Sequence, residues 1–482
     1  MFFWRYVLNQ VYIFQLENYQ FSRYWKVIKK KLWPVPSVWR QSLVWTPKAQ
    51  ALFSLALLIQ IGLFIFCLLL LREVLSFWLA ITASSFILFL SFIFHFLFLI
   101  LANFIIWPFD FILKFILISR AKIKLSRFPD LKIIAITGSY GKTTMKEMLS
   151  TVLSEKFNIL KTPENINTPL GIARLILGEL RPATQILLVE MGAYQRGDIT
   201  RLCRLTPPNI AILTGINESH LERFGSLQNT IAAKLEIIDN LKPTGIAVFN
   251  ADNELVMKSY LKHLRGQKIF FYTAGNQPAV PSHVSDRDYS ASAGQSFSIV
   301  DEKGKTHRFK TEFLADYIAG TVMASFLIGR ELGLLERDII AGISICRPVE
   351  HRLKSFVLPN DSIVIDDSYN GNPTGVREAI RVLGRFVGRR KIYITPGLVE
   401  TGSATQKVHL AIGRQLAEVA DLVVLVRNSV TPFIKDGLLA NGFSEKKILW
   451  FNKITDANSV LPQLMKKGDV VLFQNDWPDN YL

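Results

Sequence analysis

Residues 132–144 read Lys-Ile-Ile-Ala-Ile-Thr-Gly-Ser-Tyr-Gly-Lys-Thr-Thr, and a helical pattern from Met145 to Phe157 follows directly. The apolar run predicts a buried strand that enters a glycine turn. A strand, a glycine turn and a helix start in this order form a phosphate cradle, because the N–H groups of the turn and the positive helix end face the anion. Lys142 is suited to reach the β- and γ-phosphate oxygens, and Thr143 to ligate Mg²⁺. The stretch therefore predicts a chain that uses ATP.

The glycine turn is shorter than the full Walker pattern, which has four residues between its first glycine and the Gly-Lys pair. Here the order is Gly138-x-x-Gly141-Lys142-Thr143. Short patterns of this kind also arise by chance, so an ordinary strand-to-helix turn is the alternative. The strand before the turn and the helix after it favour phosphate binding.

The chain begins with a long apolar region. No charged residue lies between Leu52 and Leu71, and no Lys, Arg, Asp or Glu lies between Val74 and Phe109. Since about twenty residues cross a bilayer as a helix, we predict transmembrane spans at about 52–71 and about 84–109. The second stretch fits either one span with an interfacial lead-in or two spans joined by a turn.

Basic residues flank the apolar region on both sides and predict its orientation. Both flanks then lie in the cytoplasm, which requires an even number of spans and places the ATP-using part at the cytoplasmic face of the membrane. Aromatic and basic residues alternate within residues 1–50, a mixture suited to the lipid headgroup level. An amphipathic helix packed on a soluble domain is the alternative for this segment.

Charge and cysteine content exclude other classes. The net charge is +17, but the basic residues cluster beside the apolar stretches and no RNA-binding or zinc spacing appears, so anionic lipid rather than nucleic acid is the expected partner. The cysteines are Cys67, Cys203 and Cys346, too scattered for a disulfide framework. This usage fits a reducing cytoplasm.

Past Pro129 short β-rich runs alternate with helical stretches, which predicts an α/β fold with mainly parallel sheets. The run from Ser296 to Phe313 predicts a hairpin, and a second alternation starts after Pro348. We therefore expect a membrane region at 1–130, a central nucleotide-binding domain at 131–346 and a Rossmann-like domain at 347–482.

An acid and a histidine follow two of the predicted strands. Glu190 ends the run Ile-Leu-Leu-Val, and His220 follows the run that ends at Thr214. Open α/β sheets bind ligands at such strand ends, where a carboxylate and an imidazole can hold a divalent ion against a phosphate. Taken singly, each is more often an ordinary polar loop residue.

The order of these motifs resembles the Mur ligase family, the ATP-dependent amide-forming enzymes of peptidoglycan precursor synthesis, and its folate-ligase relatives. The resemblance rests on the phosphate loop at 136–144 and on five further runs: Thr-Pro-Glu-Asn-Ile-Asn-Thr-Pro-Leu-Gly (162–171), Val-Glu-Met-Gly-Ala (189–193), Thr-Gly-Ile-Asn-Glu-Ser-His-Leu-Glu (214–222), Ala-Ala-Lys-Leu-Glu-Ile (232–237) and Asp-Asp-Ser-Tyr-Asn-Gly-Asn-Pro (366–373). It implies a central P-loop ATPase domain followed by a C-terminal Rossmann-like domain.

The resemblance also implies roles for individual residues. ATP would be bound by Gly138, Ser139, Gly141, Lys142, Thr143, Thr144, Asp367 and Asn370. Two Mg²⁺ ions would be held by Thr143, Glu190, His220 and Lys234, the last of these carbamylated by CO₂. The catalytic residues would be Lys142, Lys234, His220 and Arg352. A substrate carboxylate would attack the γ-phosphate to form an acyl phosphate, which an incoming amine would then displace.

The run at 366–373 is most similar to the last-acting member of the family, which adds D-alanyl-D-alanine to a muramyl tripeptide. The resemblance thus implies a muramyl-peptide acid and D-alanyl-D-alanine as substrates. A related ligase with another amino acid, an inactive membrane scaffold and an ATP-driven membrane device are the alternatives. The spans hold no acidic residue and no Lys or Arg, which disfavours the device.

The chain departs from the family pattern at several positions. Gly215 stands where relatives often have Asn, which leaves Asn217 as a replacement polar contact, and Asp316 and Ala319 occupy two Asn sites that seat the adenine. Two C-terminal runs also differ, at 395–402 and at 474–476. The membrane region stands in place of a soluble UDP-gripping domain, so we expect the substrate to be engaged at the membrane surface.

Overall fold

The structure is a computed structural model that describes residues 2–17, 19–30, 43–218, 221–278, 280–290, 294–369, 371–398 and 401–474 of the 482-residue chain. The described residues form two units, one up to Ile116 and a second from Leu117.

The N-terminal unit is helical. Its helices are α1 (Phe2–Leu16), α2 (Phe21–Lys30), α3 (Pro47–Arg72), α4 (Phe77–Ile93) and α5 (His95–Leu125), the last of which continues into the second unit. Thr46 starts α3, because its hydroxyl accepts a hydrogen bond from the Ala49 N–H at 3.1 Å and Pro47 fits the first helical position.

Among the described residues, α3 and α5 are long and apolar enough to cross a membrane, whereas the apolar helix α4 is shorter. The predicted span at 52–71 lies within α3. The predicted span at 84–109 is divided between α4 and α5, because Phe94 leaves the helical conformation with φ −96° and ψ 25°. Membrane crossing stays a prediction, since it rests on length and composition alone.

A buried polar contact joins these three helices. The Gln60 side-chain amide donates to the Ser91 carbonyl oxygen at 2.8 Å, and His95 Nδ1 lies 3.1 Å from Gln60 Oε1. All three side chains are buried. Hydrogen bonds of this kind fix the register of apolar helices, whose packing alone is nonspecific.

The central domain contains a parallel six-stranded sheet with the order β2-β3-β1-β4-β5-β6. Its strands are β1 (Lys132–Thr137), β2 (Ile159–Lys161), β3 (Ile186–Glu190), β4 (Ile210–Leu213), β5 (Ile246–Asn250) and β6 (Lys268–Tyr272). The helices among them are α6 (Lys142–Ser154), α7 (Pro169–Glu179), α8 (Asp198–Leu205), α9 (Leu221–Phe224), α10 (Leu227–Asp239) and α11 (Glu254–Ser259).

Both faces of this sheet are covered, which explains the continuous apolar runs of its strands. Within β1, Ile134 and Ile136 pack into the core that contains Leu149 of α6, while Ile133 and Ala135 pack into the core on the opposite face. This alternation follows from the two-residue period of a strand.

An antiparallel three-stranded sheet and two helices complete the domain: β7 (His283–Ser290), β8 (Gly294–Val300), β9 (Thr306–Thr311), α12 (Ile318–Glu331) and α13 (Glu336–Ile345). The predicted hairpin corresponds to β8 and β9. Strands β2 and β7 were absent from the sequence-based assignment, since β2 has only three residues and β7 carries mostly polar side chains.

The C-terminal domain contains a second six-stranded sheet with the order β10-β11-β15-β12-β13-β14, in which only β10 is antiparallel. Its strands are β10 (Lys354–Val357), β11 (Ile363–Asp367), β12 (Lys391–Thr395), β13 (Leu422–Val426), β14 (Ile448–Phe451) and β15 (Val470–Gln474). Its helices are α14 (Pro373–Gly384), α15 (Thr405–Val419), α16 (Thr431–Leu439) and α17 (Ile454–Leu464). The predicted α/β alternation is confirmed for both domains, but the four-residue strand β10 is not among the predicted strands.

The strand order decides where a ligand can bind. The chain leaves β1 through α6 towards β2, and it leaves β4 through α10 towards β5, so the connections diverge between the adjacent strands β1 and β4. Such a divergence opens a crevice at the carboxyl ends of the strands. The glycine turn, Glu190 and Thr214 all lie at this edge.

Candidate active site

The glycine turn 138–141 is held tightly against the end of β4. The Ser139 N–H donates to the Gly215 carbonyl at 2.8 Å, and Lys142 Nζ donates to the Gly138 carbonyl at 2.8 Å. A Cβ at Gly138 would lie 2.1 Å from Thr214 Oγ1, and Gly138 has a φ of +151°. Only glycine fits there, so the backbone of the turn stays open to an anion.

Lys142 is the first residue of α6, preceded by the left-handed Gly141 with φ 74°. Burial lowers the pKa of Lys142, the Glu190 carboxylate opposes this effect, and the Arg352 guanidinium adds to it. This half-buried cation lies near one carboxylate and a second cation, which suits it to an anionic ligand such as phosphate.

Glu190 stands at the end of β3 and is buried beside Thr143. The Thr143 hydroxyl donates to Glu190 Oε2 at 3.1 Å, and the Lys146 ammonium lies 3.3 Å from the same oxygen. Lys146 is fully buried, and its Nζ has no hydrogen-bond partner among the described residues. Sequence reasoning missed Lys146, although its spacing of four residues from Lys142 on one helix is a signal for a shared face.

Thr143 and Glu190 provide the hydroxyl and carboxylate oxygens that Mg²⁺ prefers. Because Thr143 Oγ1 and Glu190 Oε2 form a direct hydrogen bond, both oxygens can contact one ion. Among the described residues, no group of three or more His, Cys, Asp or Glu side chains could hold a metal ion. His220, the third predicted ligand, lies outside the described residues. The oxygen pair fits one Mg²⁺, and the second ion stays a prediction.

Lys234 lies on α10 and is buried, with its Nζ 5.7 Å from the Phe224 ring centre. Burial lowers its pKa to about 7, the Lys142 ammonium adds to this, and the carboxylates of Asp198 and Glu236 oppose it. A large part of the Lys234 amine is therefore neutral at physiological pH, which is the form that reacts with CO₂.

The C-terminal domain contributes Arg352 to the same site. Its Nη2 donates to Thr143 Oγ1 at 3.3 Å, and its guanidinium lies 4.6 Å from the Tyr369 ring centre. The Tyr369 hydroxyl in turn donates to Asn165 of the central domain. The Nε atom of Arg352 is buried without a hydrogen-bond partner among the described residues. Arg352 therefore points towards the phosphate loop, and its Nε–H group can still donate to a bound anion.

Asp367 ends β11 and faces Arg352. Burial raises the pKa of Asp367 to about 7, while the Arg352 guanidinium and the Leu353 N–H lower it. Its predicted neighbour in nucleotide binding, Asn370, lies outside the described residues. Near neutral pH the Asp367 carboxyl is therefore poised between its acid and carboxylate forms.

Thr144 and Ser139, the remaining predicted nucleotide contacts, are already engaged within the protein. The Thr144 hydroxyl bonds the partly buried Tyr317, whose pKa burial raises to about 12. Ser139 Oγ accepts the Asn217 N–H at 3.2 Å. Their side chains shape the site, while their backbone groups remain part of the turn and the first turn of the helix.

Two departures from the family pattern have structural explanations. A Cβ at Gly215 would lie 2.4 Å from the Tyr140 ring, so a side chain there would have to displace Tyr140. Asn217 does not replace it near the metal position, because its side-chain amide donates to Asn372 Oδ1 at 2.9 Å and Thr374 Oγ1 at 3.0 Å in the C-terminal domain.

The two positions expected to contact the adenine lie in different surroundings. Ala319 is fully buried. Asp316 forms ion pairs with Arg287 at 2.9 Å, Arg385 at 2.6 Å and Arg381 at 3.3 Å. Arg381 lies on α14, and Arg385 directly follows that helix. Asp316 thus joins the two domains.

Asp367 allows a pH test of the site. Its pKa is raised above the unfolded value of 3.8, so the folded protein retains this proton between pH 3.8 and about 7 and loses stability relative to the unfolded chain as pH rises through that window. Above this window the burial cost of the carboxylate is fully present. We expect Asp367→Asn to raise the melting temperature of the ligand-free protein more at pH 8 than at pH 5.

Melting curves at both pH values test this expectation, with the exposed Asp361→Asn as the control. An equal effect of Asp367→Asn at the two pH values would contradict a raised pKa in the folded protein.

Comparisons with known proteins agree with the site. Residues 136–329 match the Mur ligase middle domain, and residues 351–474 match the domain described as "Mur ligase, glutamate ligase domain". A Bacillus subtilis UDP-N-acetylmuramoyl-tripeptide–D-alanyl-D-alanine ligase is 28% identical over 71% of this chain and 72% of its own length. The Escherichia coli ligase of the same name is 29% identical over 58% of this chain and 61% of its own length.

Solved structures lead to the same family. MurF from Thermotoga maritima in complex with ADP has a TM-score of 0.66 and 27% identity, over 75% of this chain and 80% of that one. MurF from Acinetobacter baumannii has a TM-score of 0.66 and 26% identity, over 75% and 77%. With both domain matches in order along the chain, the predicted family is confirmed: this protein belongs to the Mur ligase family and contains its middle and C-terminal domains.

Proposed function

We propose that this chain is an ATP-dependent amide ligase that adds D-alanyl-D-alanine to a muramyl tripeptide in peptidoglycan synthesis. The observation that carries the proposal is the meeting of two domains at one point, where Arg352 donates to Thr143 and Thr143 donates to Glu190. The related ligases from Bacillus subtilis and Escherichia coli support the choice of acid and amine.

The first step is the attack of the muramyl-peptide carboxylate on the γ-phosphorus of ATP. The bond between this phosphorus and the β–γ bridging oxygen breaks, so ADP leaves and an acyl phosphate forms. Lys142 precedes Thr143 in the chain and Arg352 donates to it, so both place positive charge where the transferring phosphoryl oxygens accumulate negative charge. Thr143 and Glu190 would hold Mg²⁺, which would supply further charge neutralisation.

In the second step the free amine of the dipeptide attacks the acyl carbon. The tetrahedral intermediate loses phosphate, the amine loses its proton, and an amide bond remains. The protein contributes mainly the placement of the two substrates, since both leaving groups depart without covalent help from a side chain. Contacts between the domains, such as Asn217 with Asn372, keep the two domains together around the site, as this placement needs.

We expect phosphate release by the full-length protein in lipid to require Mg-ATP, the UDP-muramyl tripeptide and D-alanyl-D-alanine together. Lys142→Ala should abolish release, because it removes the cation at the phosphate loop, whereas Lys156→Ala, just past the end of the same helix, should not. The measurement is inorganic phosphate over time with each component omitted in turn.

Phosphate release that does not require the dipeptide would indicate another amine substrate or an ATP-driven device. Absence of release with intact ATP binding would favour an inactive scaffold.

Lys234 is proposed to carry a carbamate. Its neutral amine adds to CO₂, a C–N bond forms and one proton is released, which turns a buried cation into an anion suited to a second Mg²⁺. The lowered pKa of Lys234 supports this, because the neutral form is available near pH 7.

We expect protein equilibrated with ¹³C-bicarbonate to show one carbamate carbon signal by NMR, and Lys234→Arg to lack it. Lys146→Arg is the matched control, because Lys146 is also buried. A carbamate signal that persists in Lys234→Arg would show that the carbamate is on another residue.

We also propose that α3 and α5 anchor the protein in the cytoplasmic membrane, with the ligase domains in the cytoplasm. Many apolar side chains of α3 are exposed, among them Leu58 and Phe66. Water is a poor solvent for such a surface, whereas lipid is a good one. Anchoring would present the site to a substrate at the membrane surface.

The full-length protein is expected to float with lipid vesicles in 1 M salt and after an alkaline carbonate wash. Leu58→Arg combined with Phe66→Arg should reduce the floated fraction, since each centrally placed Arg costs about 2.5–3.5 kcal/mol on insertion. Leu261→Arg, an exposed site in the second unit, is the control. Release of the wild-type protein by salt alone would make the attachment peripheral.

A further inference from the structure

Lys146 is a buried cation to which the proposed reaction assigns no role. It lies on α6, its side chain is fully buried, and its ammonium has no hydrogen-bond partner among the described residues. A buried charge is costly unless an opposite charge compensates it, and well-packed apolar residues can often replace a buried ion pair without loss of stability. Packing alone therefore does not explain a lysine at this position.

Glu190 is the carboxylate that compensates this charge. The Lys146 Nζ atom lies 3.3 Å from Glu190 Oε2 and 3.6 Å from Glu147 Oε1. Glu147 is also paired with Lys161, whose side chain is 41% exposed, so solvent and a second cation weaken its attraction for Lys146. Glu190 is buried at the end of β3, where solvent screens its charge far less. The ion pair of Lys146 with Glu190 is therefore the stronger of the two.

The Lys146 ammonium and a divalent ion would contact the same carboxylate oxygen. The Thr143 hydroxyl donates to Glu190 Oε2, and these two oxygens are the proposed contacts of Mg²⁺. The side chain of Lys146 is enclosed by the protein and cannot move its charge into solvent without opening the packing of α6. A divalent ion on this oxygen is therefore repelled at short range by a fixed positive charge.

Further cations surround the same position. Lys142 interacts with Glu190 and with Arg352, and Arg352 Nη2 donates to Thr143 Oγ1 at 3.3 Å. Glu190 thus faces several cations, to which a divalent ion would add two more positive charges. The polyphosphate of a nucleotide brings the negative charge that reverses this balance. We therefore expect the site to bind a divalent ion far more readily with the nucleotide than without it.

We propose that Lys146 is a positioning residue that acts as the resident counter-ion of Glu190 and makes divalent-ion binding depend on the nucleotide. Its ammonium keeps the Glu190 carboxylate directed at Thr143 and lowers the affinity of this carboxylate for a free ion. Such coupling is reciprocal, so the ion strengthens nucleotide binding by the same factor. The inference rests on the proposed ATP site and adds to it the residue that couples the metal to the nucleotide.

Mn²⁺ binding to the full-length protein in phosphatidylcholine vesicles tests the inference, because free Mn²⁺ is measured directly by its EPR signal. Titrations are made without nucleotide and with ADP, which lacks the γ-phosphate. Nucleotide-free wild-type protein should bind Mn²⁺ weakly. Lys146→Met should bind it about 10-fold more tightly or better, because the repulsion is lost while the length of the side chain is nearly kept. Glu190→Gln added to Lys146→Met should remove this gain.

Two controls separate the loss of this charge from a general change. Lys146→Arg keeps the positive charge, so its nucleotide-free form should bind Mn²⁺ as weakly as the wild type. Lys156→Met removes a lysine just past the end of α6 that donates to the Gly333 carbonyl, and it should also match the wild type. The readout is a gain of binding that requires Glu190, which a loss of folded protein does not produce.

Unchanged Mn²⁺ binding in a Lys146→Met protein that still binds ADP overturns the inference. Weaker Mn²⁺ binding in Lys146→Met, with and without ADP, also overturns it, because Lys146 would then only support the shape of the site. Tight Mn²⁺ binding by nucleotide-free wild-type protein, lost in Glu190→Gln, overturns it without any variant at Lys146. If wild-type protein binds neither ADP nor Mn²⁺ with ADP, the proposed function itself has failed.

Discussion

The parallel pairing of β1 with β3 on one side and β4 on the other is the constraint on which the rest of the site depends. Ile136 is paired with Glu190 and with Ile212, so the ends of three strands lie at one edge of the sheet. The backbone spacing of about 4.8 Å between strands then brings the glycine turn, Glu190 and Thr214 into contact. Gly138 has no room for a side chain because Thr214 is already there.

The charge balance at this edge explains what kind of ligand it can accept. Glu190 interacts with Lys142, Lys146 and Lys234, and Arg352 lies near Lys142. The Arg352 guanidinium contributes to the lowered pKa of Lys142, and the Lys142 ammonium contributes to the lowered pKa of Lys234. A polyphosphate removes this repulsion among the cations. The ligand-free site is therefore destabilised by the same charges that bind ATP.

Contacts between the central and C-terminal domains complete the site. Arg352 and Tyr369 reach the phosphate loop and Asn165, while Asp316 is paired with Arg381 of α14 and with Arg385 directly after it. Most of these contacts are polar and partly exposed, so they can break and re-form at modest cost. An enzyme that must admit two substrates and then exclude water needs an interface of this kind.

The chain by itself determined the elements and most of their chemistry. The apolar run before the glycine turn, the acid at the end of the next buried strand and the alternation of helix and strand are local patterns, set by strand and helix periodicity. These patterns were sufficient to predict the fold class, and the resemblance of the motif runs was sufficient to predict the family. The ligand-binding roles of the phosphate loop and Glu190 stay predictions. The short strands β2 and β10 and the polar strand β7 gave too little periodicity to be assigned.

The tertiary structure alone decided which distant residues meet. In the sequence Lys146 is one more helix lysine, but the packing of α6 on β3 brings it to Glu190. The sequence suggests Asn217 as a metal-site residue, but its side-chain amide instead binds Asn372 across the domain interface. The lowered pKa of Lys234 and the raised pKa of Asp367 depend on burial and on charges far away in the chain.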